Sequence, residues 1–268
     1  MPTSTDSPTP LLPLPWHDGA RLLLNEVRSG RESAYVVGPK GLGKSDFFRA
    51  ETKRLATEPR RPVYTLLGES RTGTSALTKV LDTLLTCDGP AERLLLETSE
   101  RARRRGASHL LGVCADEIAA RGIGALVLDE APFLGTSAVA HVTQLVDHCQ
   151  LRHGHALGLL LIGTTTDYQG LTQSGELGQR ITTTFRVPPI GLEEVDDFID
   201  ALSPDLRRAL RKAGVRARED AMAALITAAD GSCRRLTSII RRAMRAAERA
   251  QRPVELRDLV NAINGQAE

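Results

Sequence analysis

Lysine is scarce in this chain. It occurs only at Lys40, Lys44, Lys53, Lys79 and Lys212, and arginine supplies the rest of the basic charge. That bias reads mostly as genomic base composition. An excess of either charge is also missing. With 35 Lys and Arg against 33 Asp and Glu, the net charge is +2, so bulk charge announces no nucleic-acid partner. No apolar run approaches the ~18 residues of a spanning helix, which excludes a helical membrane protein. The opening stretch "MPTSTDSPTPLLPLP" has no basic segment ahead of its short apolar patch. It reads as a disordered tail over residues 1–16, not as a signal peptide, although an isolated Trp16 can anchor a partner or cap the protein's own core. The four cysteines, Cys87, Cys114, Cys149 and Cys233, lack C-x-x-C spacing. They exclude a disulfide framework and suit a reducing, cytoplasmic setting. "HCQLRHGH" gathers His148, Cys149, His153 and His155, but the spacing matches no common zinc pattern, and a polar helix end is expected. There is no internal repeat.

What is present supports one sizeable core and a smaller module: 268 residues, 41% hydrophobic and 25% charged. Short apolar strands alternate with amphipathic helices from Asp18 onward. The strands are "SAYVVG", "RPVYTLLG", "IGALVLDE", "ALGLLLIGTT" and one near "TTTFRV". That alternation predicts a parallel sheet covered on both faces. Within "TSALTKVLDTLL", Leu77, Val80, Leu81, Leu84 and Leu85 fall on one helix face. After "VPPIGLEEV" the strands stop and five helical patterns follow, one opened by Ser203 as N-cap with Pro204 behind it. The expected division is the tail, an α/β nucleotide-binding domain over residues 17–190, and a helical lid over 191–268.

Two stretches look alike, "VVGPKGLGKS" and "LLGESRTGTS", each running from apolar residues into G-x-x-x-x-G. Only the first completes G-x-x-x-x-G-K-S/T, with Gly38, Gly43, Lys44 and Ser45. Glycines let backbone N–H groups wrap a phosphate, and a helix N-terminus favours the anion. Lys44 would bridge the β- and γ-phosphates of ATP, and the Ser45 hydroxyl would ligate Mg²⁺. The candidate nucleotide element is Gly38, Pro39, Lys40, Gly41, Leu42, Gly43, Lys44, Ser45 and Asp46. The second stretch has Thr74 where the lysine must be. It is expected to be a strand-to-helix turn capped by Thr72 or Thr74.

Downstream, "ALVLDEAPFL" ends an apolar strand in Asp129 and Glu130. Asp129 is placed to hold the Mg²⁺ water shell and Glu130 to polarise an attacking water. "LLLIGTTTD" puts polar residues at a strand tip, where Thr164, or else Thr165, suits a γ-phosphate sensor. Arg180 precedes the last strand as a candidate arginine finger, with Arg186 as competitor. "DGSCRRLTSII" gives G-x-x-R at a lid-helix start, where Arg234, or Arg235 after a one-residue shift, could reach the nucleotide.

These features in this order resemble the AAA+ family: phosphate loop, "LDEA", polar sensor strand, "QR", then a helical lid with G-x-x-R. The likeness spans roughly residues 18–264. Through "YVVGPKGLGKS", "LVLDEAPFLG", "LLIGTTTDYQGL" and a short lid ending in "LRDLVNAI", the chain looks most like the ATPases that regulate DNA transposition, the TnsC/TniB group and more distantly MuB. The resemblance implies an AAA+ P-loop fold with a C-terminal helical lid, ATP with Mg²⁺, and homo-oligomers, ring or helical filament, whose sites are completed by the next subunit. It also implies sequence-neutral contact with duplex DNA. In TnsC-like proteins the loop after the second strand faces the central channel, so Arg71, Thr72 and Lys79 inherit that role. The separation of Lys44 and Asp129, 85 residues (129 − 44), is long for the group. The excess around residues 87–108 carries Arg103, Arg104 and Arg105, candidates to extend the DNA surface or simply a solvated charge run.

The expected function is thus an ATPase, slow and DNA-modulated, that selects target sites and recruits a transposase, with a target-recognition protein as a further partner. Two alternatives stand beside it. One is a helicase-loader or replication-type AAA+ ATPase, although initiators usually append a winged-helix or helix-turn-helix domain for which this chain leaves no room. The other is a signalling or remodelling switch with no DNA partner.

Overall fold

The structure is a computed structural model, and it describes residues 14–68, 70–87, 102, 104–131, 134–164 and 175–265. Two compact units divide it. One comprises Asp18–Gly38 and Phe47–Val187; the other takes in the described residues up to His17, Pro39–Asp46 and the described residues from Pro188 on.

The first unit is built on five strands: β1 (Ala34–Val37), β2 (Arg61–Leu66), β3 (Ile123–Asp129), β4 (Gly158–Gly163) and β5 (Thr183–Arg186). The sheet order is β2-β3-β4-β1-β5, and every pairing is parallel. The three inner strands, "AYVV", "IGALVLD" and "GLLLIG", are buried at every position. Continuous apolar runs of this kind belong to strands covered on both faces. The outer strands are more polar. β2 carries Pro62 beside a register shift at Arg61/Pro62, a place where a residue without an N–H is tolerated.

Helices α1 (Trp16–Arg28), α2 (Lys44–Arg54), α3 (Gly73–Thr86), α4 (Ala107–Ala120), α5 (Thr136–His153) and α6 (Gly175–Arg180) punctuate the strands. Leu77, Val80, Leu81, Leu84 and Leu85 of α3 are buried, as their spacing predicts, in a core that also takes Leu110 and Ile118 of α4 and Leu126 and Leu128 of β3. Helix α1 begins at Trp16, two residues before the amphipathic pattern starts at Asp18. The reason is the Trp16 side chain, 7% exposed and set edge-on to the His17 ring. Helix α6 has no predicted counterpart, since "GELGQR" carries no apolar period.

In the second unit lie α7 (Leu192–Leu202), α8 (Pro204–Lys212), α9 (Val215–Ala229), α10 (Cys233–Arg249) and α11 (Leu256–Ile263). Their inward faces share a separate core of Val195, Ile199, Leu206, Leu225, Ile240 and Leu259, with Leu14 packed against it. Ser203 caps α8, accepting from the Leu206 N–H at 3.2 Å, with Pro204 at the first turn. No helix among the described residues is long and apolar enough to cross a membrane.

Candidate nucleotide site

Because β1, β3 and β4 are parallel, their carboxyl ends meet one edge of the sheet. Gly38 follows the first, Asp129 and Glu130 close the second, and Thr164 follows the third. Asp129 is 4% exposed. Its Oδ1 accepts the Glu130 backbone N–H at 2.9 Å, and its Oδ2 accepts the hydroxyl of Tyr64 from β2. Burial, and next the hydrogen bond to Asp129, push the Tyr64 hydroxyl above the ordinary tyrosine range, so it stays a protonated donor. Sequence patterning had not singled out Tyr64. Nothing in the chain order says that β2 lies beside β3, and that adjacency is the whole signal.

Glu130 is exposed and has φ of +59°. A left-handed backbone is costly for a non-glycine residue, and residues held that way cluster at functional sites. Thr164 is half-buried at the β4 tip; its alternative, Thr165, lies outside the described residues.

The candidate phosphate-loop residues Pro39–Asp46 cluster with the helical unit. Gly41 and Gly43 have φ of +82° and +79°. Gly41 is pressed against the start of α10: a Cβ there would fall 2.2 Å from the Ser232 Oγ. Its carbonyl accepts the Arg234 backbone N–H at 3.0 Å, with the Ser232 hydroxyl at 3.5 Å. Lys44 is 7% exposed, and its Nζ donates to the Pro39 carbonyl at 2.7 Å. Burial pushes the thiol of Cys233 up to about 11, opposed by the nearby Lys44 ammonium. The side chains of Arg234 and Arg235 are exposed, the latter 3.5 Å from Asp230.

The two arginine-finger candidates differ in setting. Arg180 ends α6, and its Nη2 lies 2.5 and 2.6 Å from the two carboxylate oxygens of Asp147 on α5. Arg186 is exposed at the end of β5.

The second glycine stretch is a turn into α3. Thr72 is the N-cap, accepting from Ser75 N–H at 3.2 Å. Gly73 is required by crowding: a Cβ would sit 2.2 Å from His141 Nδ1. Of the residues proposed for DNA, Arg71, Arg104 and Arg105 are exposed, while Arg103 lies outside the described residues. Lys79 is half-buried, and its Nζ donates to the Leu67 carbonyl, bracing the turn from within. Among the described residues, no group of His, Cys, Asp and Glu is placed to hold a metal by itself. In "HCQLRHGH", His153 faces Asp116 at 2.8 Å, His155 faces the Ile123 carbonyl at 2.6 Å, and burial pushes the Cys149 thiol up to about 12.

A family model described as an AAA domain matches residues 27–171. The chain belongs to that family. Solved structures extend the likeness of this AAA domain protein to its helical part. The Aeropyrum pernix ORC2 protein, in ADPNP-ADP complexes, is 16% identical with a TM-score of 0.67, over 93% of this chain and 66% of that one. The Aeropyrum pernix ORC1 protein in complex with DNA is 17% identical with a TM-score of 0.60, over 95% and 66%. Domain III of the Thermotoga maritima replication initiation protein DnaA is 14% identical with a TM-score of 0.56, over 96% and 95%. Such identities speak for the fold alone, and the chain spans about two thirds of the length of the two Aeropyrum chains. No curated protein sequence matches it.

Proposed function

We propose that this AAA domain protein is an ATP-dependent, DNA-binding ATPase that assembles on duplex DNA to select sites for a transposase. The observation that carries the ATPase part is the pair of built elements: a loop with Gly41 and Gly43 at positive φ leading into Lys44, and a buried Asp129 followed by the exposed Glu130. A glycine loop ending at a helix N-terminus offers backbone N–H donors to phosphates. Gly38 to Asp46 take the phosphates, Lys44 adds a point charge to them, and Ser45 and Asp129 suit the oxygen-ligand chemistry of Mg²⁺. When bound, that metal supplies charge neutralisation at the transferring phosphoryl group. Glu130 orients and polarises the attacking water, Thr164 reads the γ-phosphate, and Arg234 reports the nucleotide to the lid. Arg180 completes the site of a neighbouring copy in a ring or filament.

DNA contact is supported by the exposed cations Arg71, Arg104 and Arg105 and by the similarity to a protein solved with DNA. Backbone contacts of that kind need cations and hydroxyls but no base code. The transposase partner rests on the motif resemblance to the TnsC/TniB group. A replication-type role is the second reading, favoured by the likeness to ORC2, ORC1 and DnaA.

The test is electron microscopy of the chain with ATP, magnesium and duplex DNA at low salt. ATP-dependent oligomers on DNA are expected, and Lys44→Ala abolishes them. Equal loading of that variant would end the mechanism. Oligomers that form without DNA, and turnover that DNA leaves unchanged, would move the protein to the signalling class.

A further inference from the structure

We propose that Tyr64 is a positioning residue for the carboxylate of Asp129, and that Arg49 holds Tyr64 in that task. The inference rests on the ATP-and-magnesium reading above.

Asp129 closes β3 and receives donors from two directions. The Glu130 backbone N–H reaches Oδ1 at 2.9 Å, and the Tyr64 hydroxyl reaches Oδ2. The terminal torsion of an aspartate is broad, so an unsupported carboxylate would turn freely. Two donors on its two oxygens fix that rotation. An ionised carboxylate has about four lone-pair sites, so both hydrogen bonds leave capacity for a metal ion's water.

Tyr64 is itself held. It stands on β2, opposite Val127 of β3 and two positions before Leu66, which faces Asp129 in the register. The Arg49 guanidinium lies over its ring, 5.1 Å from the centroid, with Nη2 3.5 Å from the hydroxyl oxygen. A cation over an aromatic face is attracted by the ring quadrupole. Arg49 belongs to α2, the helix that begins at Lys44. The chain Arg49–Tyr64–Asp129 therefore links the helix of the phosphate loop to the metal-steering carboxylate. Partners of this outer kind orient ligating groups and tune metal affinity. A tyrosine kept only for packing would not need its hydroxyl; this one donates it to the site's buried acid.

The test uses the full chain with Tyr64→Phe, which keeps the ring and its contact with Arg49 and removes one oxygen. Affinity for a fluorescent ADP is measured in EDTA. Manganese affinity of the protein–ADP complex is read from the free-ion signal in paramagnetic resonance, and the magnesium half-saturation of ATP turnover is read beside it. ADP affinity without metal is expected to be unchanged, while the manganese dissociation constant rises about tenfold and magnesium half-saturation rises with it. Arg49→Gln should move both in the same direction by less, and Arg49→Lys, which keeps a cation, should restore most of the loss. Unchanged manganese affinity and magnesium half-saturation in Tyr64→Phe would overturn the proposal. A wild-type chain that binds no adenine nucleotide would instead overturn the nucleotide reading, and this one with it.

Discussion

The backbone N–H of Arg234 donates to the carbonyl of Gly41 at 3.0 Å. The start of helix α10 therefore grips the phosphate loop by its backbone, and Ser232, the cap of that helix, fills the space where a Cβ of residue 41 would be. Gly41→Ala meets two obstacles at once: φ of +82° and a methyl 2.2 Å from Ser232 Oγ. The left-handed backbone alone costs an L-residue about 1–2 kcal/mol. Gly41→Ala is expected to weaken ATP binding roughly tenfold, the equivalent of about 1.4 kcal/mol. Titration with a fluorescent ATP analogue measures it, and affinity equal to wild type would show that the loop binds without this geometry.

Glu130 offers a cleaner separation of binding from chemistry. Its side chain is exposed beside the buried Asp129. Glu130→Gln keeps size and polarity and removes the carboxylate proposed as the base. ATP affinity is expected to hold while turnover falls by about 10²-fold or more, the usual share of a positioned general base. Single-turnover hydrolysis beside equilibrium binding reads both. Retained turnover would pass the role of water activation to another residue.

Much of the fold was legible because its signals are local. Fully apolar "IGALVLD" and "GLLLIG" announce buried parallel strands, and the helical spacing from Leu77 to Leu85 announces the buried face of α3. Of the candidate site, the glycine loop and the Asp129–Glu130 pair stood out because the chemistry proposed for them demands particular residues in tight spacing. What stayed hidden depends on which strands and helices become neighbours. Tyr64 looks like any strand aromatic until β2 is placed beside β3. Ser232 reads as a helix cap, and only folding brings it against Gly41. Asp147 is one more acid on an amphipathic helix until α6 delivers Arg180 to it. The second glycine stretch was resolved the other way. Thr72 serves as a cap and Gly73 accommodates His141, so its likeness to a phosphate loop reflects turn chemistry.

A pH dependence follows from the helical unit. Asp258, with a side chain only 3% exposed, is gripped by Arg252 through Nη1 at 2.7 Å and Nη2 at 2.6 Å. It also accepts the Glu255 N–H at 2.9 Å, closing the capping box of α11. The Arg252 hydrogen bonds hold its carboxyl below the ordinary value, against the opposing effect of burial. A depressed folded pKa contributes stability in full above the ordinary carboxylate value of about 3.9, and that contribution is lost as the pH falls below it. Asp258→Asn is expected to destabilise the protein by about 1.5–3 kcal/mol at neutral pH, the range for a charged hydrogen bond. Urea unfolding of both proteins across pH 7 to 3 should show the gap narrowing towards the acid end. A gap independent of pH would mean that the ion pair contributes nothing beyond packing.

Arg180 carries the sharpest test of assembly, because in this chain its guanidinium is already engaged by Asp147. Both partners are partly exposed, at 33% and 47%, and such pairs are worth about 0–1 kcal/mol. A grip that weak would leave the guanidinium available to the γ-phosphate of a neighbouring copy, as the proposed role requires. If Arg180 acts on that neighbour, Arg180→Ala should lower turnover in assembled protein by about 10³-fold, the low end for an arginine finger, while Arg186→Ala changes it little. Mixing decides between action within a chain and between chains. Arg180→Ala keeps Glu130, the residue proposed to activate water, and Glu130→Gln keeps the arginine. Each is expected to be nearly inactive alone. Combined in equal amounts, they form junctions where an intact Glu130 meets a neighbour's intact Arg180, and turnover should recover to a fraction of wild type. No recovery at any mixing ratio, with assembly confirmed by sedimentation, would place the arginine's action inside its own chain or remove it from the chemistry.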